Sequence, residues 1–279
     1  DGNFTGRPAW LNSLREKLET RFGPVSRQTL PMQHVGVSYE RLPEGGYFLH
    51  QKKYALALKT VDVARGDDQT RLLNAEEITT LRSGVGGLLY LCITRPDLVG
   101  DLCLLQSRVS KALVQDLRAL NNLVLRAHKF AHYGLHYRKL PVPRCLRGYA
   151  DSSYATSKTS YAVEANLVFL MTDHTTLQTD TGVERLSATT MDGQGHLLIH
   201  SGKLAKRISH NTSHAESLAQ YSLLTHCEMA ALRMTELRAP YLSSVPLSVM
   251  IAIAESGCFD LPTDIITDCR DLYELETGQ

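Results

Sequence analysis

Leu146-Arg147-Gly148-Tyr149-Ala150-Asp151 is a short, mostly apolar run that closes on a carboxylate, and it reads as a strand. Pro141-Val142-Pro143 stands just before it, and two prolines break any helix arriving from upstream. Downstream, 161–171 reads as a second strand, 172–195 as a polar stretch and 196–200 as a third strand. A basic turn, a long helical pattern opened by Ser213, an apolar segment at 245–254 and a strand at 264–268 complete the chain. Strands first, then a long helix, then another strand predict an α/β domain: a mixed sheet with helices packed on it.

Three acids stand out in this frame. Asp151 ends the first strand, Glu216 lies in Thr212-Ser213-His214-Ala215-Glu216 at the start of the helix, and Asp268 follows Ile265-Ile266-Thr267. Two strand carboxylates and a helix carboxylate brought together can hold two divalent metals. One metal then activates water and the other stabilises the leaving oxygen of a phosphodiester. Ser213-x-x-Glu216 also fits a capping box, in which Glu216 only bonds back to the Ser213 backbone. Beside the contexts of Asp151 and Asp268, the ligand reading is taken.

Working upstream, apolar positions 11, 14, 18 and 22 predict a short amphipathic helix stopped by Gly23-Pro24. Residues 34–40 and 46–50 flank Pro43-Glu44-Gly45-Gly46 and predict a hairpin, with helical character resuming at 51–60. A polar stretch, 62–80, leads to a Gly-rich apolar helix at Arg82–Cys92. One further helix is expected from about 104 to 131, with Val109, Leu113, Leu117, Leu120, Val124, Ala127 and Ala131 on one face. Arg108, Lys111, Arg118, Arg126 and Lys129 fall nearly opposite, without an acid among them, and are read as contacts to a phosphate backbone.

Charge supports that reading locally. The net charge is only +1, yet Leu104–Arg147 carries nine Lys/Arg against Asp116, while Ile251–Gln279 carries seven acids against Arg270. A basic middle and an acidic end suit a phosphate-tracking surface beside a metal site. The six cysteines form no C-x-x-C pair, which suggests free thiols in a reducing compartment, the cytoplasm or nucleus. No apolar run reaches membrane length, so no membrane partner is expected. Asp180-Thr181-Gly182 reads as a loop turn rather than a protease loop, and His128, His132 and His136 as helix-face residues rather than metal ligands.

Several motifs resemble the polyprotein of copia-type LTR retrotransposons, from the end of the reverse transcriptase through most of its ribonuclease H. Arg82-Ser83-Gly84-Val85-Gly86-Gly87-Leu88-Leu89-Tyr90-Leu91 followed by Thr94-Arg95-Pro96-Asp97-Leu98 is the most specific stretch. Gly148-Tyr149-Ala150-Asp151-Ser152-Ser153-Tyr154 is similar to the family's first ribonuclease H strand. Ser201-Gly202-Lys203 with Ser213-His214-Ala215-Glu216 is similar to its second block, and Thr267-Asp268-Cys269-Arg270-Asp271-Leu272-Tyr273 to its third acidic strand.

The resemblance implies a thumb/connection region over 1–140 and a C-terminally truncated ribonuclease H-like domain over 144–279. It implies Asp151, Glu216 and Asp268 as catalytic ligands of Mg²⁺ (or Mn²⁺), with RNA–DNA hybrid as substrate and metal-dependent hydrolysis of the RNA as reaction. Other polyprotein parts or a larger assembly would be further partners. The family's polymerase signature survives at most as Asp1-Gly2, so DNA synthesis is not expected, and its fourth acidic ligand, on a later helix, is missing unless Asp271 or Glu274 substitutes. Two other readings stand beside this one: a non-catalytic descendant kept for nucleic-acid binding or assembly, and a relic.

Overall fold

The computed structural model describes residues 7–64, 66–142, 144–153, 161–172, 176–179, 182–185, 195–209, 211–238, 247–256, 261–267 and 269. It is a mixed α/β chain. Helix α1 (Pro8–Phe22) opens with Pro8 at its first turn and ends at Gly23, whose φ of 82° suits a residue without a Cβ. Strands β1 (Met32–His34), β2 (Val37–Arg41) and β3 (Tyr47–His50) form an antiparallel meander. β4 (Leu135–Tyr137) adds to its far edge. Gly46 closes the β2–β3 turn at φ 100°, and a Cβ there would lie 2.2 Å from the Tyr137 carbonyl oxygen, so only glycine lets β4 approach.

The helical half is built on α2 (Lys52–Ala57), α3 (Ala75–Leu91), α4 (Val99–Arg108) and α5 (Val114–Lys129). α3 starts seven residues before the expected Arg82. Asn74 Oδ1 accepts the Glu77 backbone N–H at 2.9 Å, and the Glu77 carboxylate accepts the Asn74 N–H at 2.8 Å. The Glu77 end of that capping box is then fixed by Arg71, which bridges Glu77 and Asp67 and holds the Glu77 pKa down at about 2. Leu81, Val85, Leu88 and Leu91 recur at helical spacing and are buried against Leu117, Leu120, Val124 and Ala127 of α5. Each such leucine contributes about 1.5–3 kcal/mol on leaving water.

The single helix expected over 104–131 is two. Between α4 and α5 the chain forms a short 3₁₀ turn (Val109–Lys111) and then an extended Leu113 at φ −111°, ψ 164°. The break is imposed from outside the segment. Leu73 N–H donates to the Ala112 carbonyl, while Val114 and Gln115 N–H donate to the Arg71 and Gln69 carbonyls. Periodicity within one segment cannot register such bonds. The restart is capped by Asp116, whose carboxylate accepts the Leu113 N–H at 2.8 Å.

The sheet of the second half has the order β10–β5–β6–β9. β5 (Arg144–Ser153), β6 (Tyr161–Thr172) and β9 (Gly195–Ile208) are successively antiparallel, and β10 (Thr263–Ile266) lies parallel to β5. A ribbon of β7 (Thr176–Thr179) and β8 (Gly182–Arg185) occupies the polar stretch before β9, and Asp180-Thr181 between them lies outside the described residues. The expected basic turn after residue 200 is instead the second half of β9, because pairing with β6 carries the strand through Lys203 to Ile208. Helix α6 (Thr212–Arg238) crosses one face, burying Ala219, Leu223 and Cys227 over Leu146, Ala150 and Val168. Gly148 makes room for it, since a Cβ there would lie 2.7 Å from Cys227 Sγ. α7 (Leu247–Ser256) precedes β10. α4 lies against the other face at β9, with Val99 Cγ1 2.8 Å from where a Gly202 Cβ would stand.

Candidate functional site

β5 is flanked on both sides, by β10 and β6, and its last residues reach the rim of the sheet. Alternation along the strand divides its side chains between two faces. Ala150 belongs to the cluster under α6, and the Ser152 hydroxyl donates to Glu216 Oε1 at 2.9 Å. Asp151 therefore falls on the opposite face, the one that carries α4, where its register partners are Ala165 and Gly202. It is exposed, whereas Glu216 is buried at 6% exposure. The strand and the helix do meet where expected, but the strand residue that touches Glu216 is Ser152.

α6 is capped by Asn211, whose Oδ1 accepts the His214 backbone N–H at 2.7 Å. The cap is thus two residues earlier than the Ser213 capping box would place it, and Glu216 sits in the second turn, above the sheet. Asp268 lies outside the described residues. β10 ends at Ile266 beside Tyr149 and runs in the same direction as β5, towards the rim that carries Asp151. Among the described residues no three His, Cys, Asp or Glu side chains gather as a metal group.

The face under α6 holds polar residues that the sequence reading missed. Glu164 stands directly opposite Ser152, and Lys203 directly opposite Glu164. Lys203 Nζ is 3.4 Å from Glu164 Oε2 and donates to Ser222 Oγ at 2.8 Å. Asn166, one rung further in, accepts from the Ser222 hydroxyl at 3.1 Å and donates to the Ala219 carbonyl at 3.2 Å. Glu164 and Asn166 are 5% and 1% exposed under the helix, while the Lys203 side chain, 43% exposed, reaches solvent at its edge. Burial and the nearby Lys203 charge lower the His226 pKa. The available signal was alternation within β6: Glu164 and Asn166 share a face with Val168 and Leu170, and acid and amide on the apolar side of a strand mark a paired polar layer.

The five basic residues no longer lie along one helix. Arg108 ends α4, Lys111 is in the 3₁₀ turn, and Arg118, Arg126 and Lys129 are on α5. Arg108 approaches Asp116 at 3.3 Å, Arg118 donates to the Ala64 carbonyl at 3.2 Å, and Arg126 donates to Asp101 at 2.8 Å. Arg108 and Arg126 flank a cleft of about 310 Å³ between α4 and α5. The three histidines also separate: His128 donates to the Leu58 carbonyl from α5, His132 is in the following turn, and His136 is on β4.

The Thr94-Arg95-Pro96-Asp97 motif acquires a structural role. Arg95 is 1% exposed, pairs with Asp97 at 2.7 Å and donates to the Phe130 carbonyl at 2.7 Å, closing the C-terminus of α5. Thr94 donates to buried Gln51 at 3.0 Å. No helix among the described residues is long and apolar enough to cross a membrane. No family model and no curated protein matches the chain.

Proposed function

We propose that this chain derives from a copia-type retrotransposon polyprotein, with a thumb/connection region over 1–140 and a ribonuclease H-like domain over 144–279. Its substrate is an RNA–DNA hybrid, and its reaction is hydrolysis of the RNA strand dependent on Mg²⁺ or Mn²⁺, with Asp151, Glu216 and Asp268 as the ligands. The reading rests on the order of elements. Three antiparallel strands are followed by a long helix and by a strand laid parallel to the first. One acid stands on the first of those strands, one on the helix, and Asp268 two residues past the parallel strand. The arginines bordering the α4–α5 cleft would meet the hybrid backbone by charge and shape, without reading sequence.

A second reading has its own observation. Asp151 lies on the face of β5 away from α6, the helix that carries Glu216, and Glu216 is already engaged by Ser152, which favours a non-catalytic descendant that binds nucleic acid or serves an assembly. Cleavage of an end-labelled hybrid by the purified chain separates the two. Hydrolysis in Mg²⁺ or Mn²⁺ that is lost in both Asp151→Asn and Glu216→Gln supports the nuclease. Equal inertness of wild type and both variants in either metal assigns the non-catalytic role.

A further inference from the structure

Helix α6 is apolar on both of its sides. The side towards the sheet buries Ala219, Leu223 and Cys227. At 100° per residue, His214, Leu218, Tyr221, Thr225, Met229, Leu232 and Glu236 fall within an arc of about 80° on the opposite side, centred on Thr225. No Lys or Arg lies in that arc. Tyr221 is 73% exposed and Met229 50%, Thr225 is exposed, and Leu218 and Leu232 are half-buried. Leu224, 41% exposed, borders the arc. A helix that is apolar all round belongs in an interior, yet the side bearing Tyr221 faces solvent.

We propose that this side of α6 pairs with the same side of α6 in a second copy of the chain, antiparallel, about a two-fold axis at Thr225. The spacing selects that occupant. From 214 through 218, 221, 225, 229 and 232 to 236 the steps are four, three, four, four, three and four residues, the same read from either end. A two-fold contact needs such a surface, because residue i meets j of the partner while j meets i. Antiparallel pairing sets Tyr221 on the partner's Met229, ring against thioether, and Leu218 on the partner's Leu232. His214 then meets the partner's Glu236, an imidazole beside a carboxylate at each end. Parallel pairing would set Glu236 against the partner's Glu236, like charge on like. Arg233 already holds Glu236 at 2.8 Å from beside the arc, so the apolar pairs carry the contact. Thr225 on the axis fixes the register at some cost in affinity, as a polar residue does in a coiled coil. The stripe from His214 to Glu236 is about 33 Å long. Two helices meeting over that length remove on the order of 1,000 Å² from water, the lower bound of a specific interface, so the dimer dissociates in the micromolar range. Glu216 lies on the sheet side of α6, bonded to Ser152, and the pairing holds whether or not a hybrid is cleaved.

The test is sedimentation equilibrium of the full chain from about 1 to 200 µM, a span that brackets the constant expected of so small a contact. Wild type is expected to pass from monomer to dimer within it. Tyr221→Glu should raise the dissociation constant about hundredfold, since each dimer loses two aromatic anchors and gains two buried charges. Thr225→Leu should lower it about tenfold by making the axis apolar, a gain that misfolding cannot produce. Trp10→Glu, on the other helix with an exposed large apolar side chain, should leave it unchanged. Oxidation reads the register, with wild type and its own cysteines as the control. Thr225→Cys should link to itself, and Tyr221→Cys should link to Met229→Cys in a mixture. Tyr221→Cys alone should not, because its two copies would stand about 12 Å apart along the helices, beyond the reach of a disulfide. A wild type that stays monomeric overturns the proposal and leaves a different protein as the occupant of the stripe. A dimer that survives Tyr221→Glu, or that Trp10→Glu dissociates, overturns it by placing the contact elsewhere. Self-linked Tyr221→Cys overturns the antiparallel register.

Discussion

The helical half and the sheet half handle their buried polar groups differently. In the helical half, arginines tie loops to helix ends: Arg71 joins Asp67 to the α3 cap, and Arg95 joins Asp97 to the α5 C-terminus. In the sheet half the polar groups lie inside the interface, as Ser152–Glu216 and Glu164–Lys203–Ser222 between the sheet and α6. The first arrangement fixes the ends of elements, with the buried Thr94–Gln51 pair beside it. The second places charge where an apolar face would pack better, and proteins retain such layers where a site needs them or where they set register.

Breaking the strongest clamp should have the largest effect. Arg95→Met keeps volume but leaves the Phe130 carbonyl without its partner and Asp97 with Arg126 alone, and should cost about 1–3 kcal/mol in urea unfolding. A loss under 1 kcal/mol would remove the distinction between the halves. A matched pair of glycines sharpens it. Gly148→Ala drives a methyl into Cys227 Sγ and Leu223, and should cost about 1–3 kcal/mol, with Cys227→Ala restoring part of it. Gly84→Ala in α3 meets Leu120, fully buried, at 2.5 Å, so overpacking of the same order is offset only by helix propensity worth about 1 kcal/mol, and the net cost should be the smaller of the two.

The smallest effect is expected from pH. Burial holds the His196 and His200 pKa values below the ordinary one, and the Arg138 N–H donates to His196 Nε2 at 2.8 Å, which requires a neutral ring. The unfolded chain takes up protons first, near the ordinary histidine value of about 6.5. Stability is therefore complete above that pH and declines as pH falls towards the depressed folded values. His196→Gln supplies an amide oxygen at any pH, so the melting temperature of that variant should change less between pH 7.5 and 5.5 than wild type, by roughly the share of one partly exposed group.

The elements with uninterrupted local patterns were legible. The helix over 11–22, the hairpin around Gly46, and the strands at 146–151 and 161–171 all stand within a few residues of where alternation or helical spacing put them. What local pattern missed was set by distant partners. Residues 69–73 split the expected helix at Leu113, and β6 drew Ser201–Ile208 into a strand. At the candidate site, the neighbourhood of strand end and helix start was readable, but the one-residue phase that gives Ser152 rather than Asp151 to Glu216 was not. Phase depends on which face α6 covers, and that is fixed by Gly148 admitting Cys227.

The contact of Val99 with Gly202 has a consequence for how the polypeptide can be divided. Pro141–Pro143 separates the halves along the chain, yet in space β9 is gripped from the N-terminal side. Tyr137 Oη donates to the Leu197 carbonyl at 2.9 Å, Arg138 N–H reaches His196, and α4 rests on the strand. A protease that nicks the proline segment would leave two pieces still joined by these contacts. Released alone, the sheet half would carry a wettable groove where Val99 had been seated, and the covalent link is the less important of the two ties.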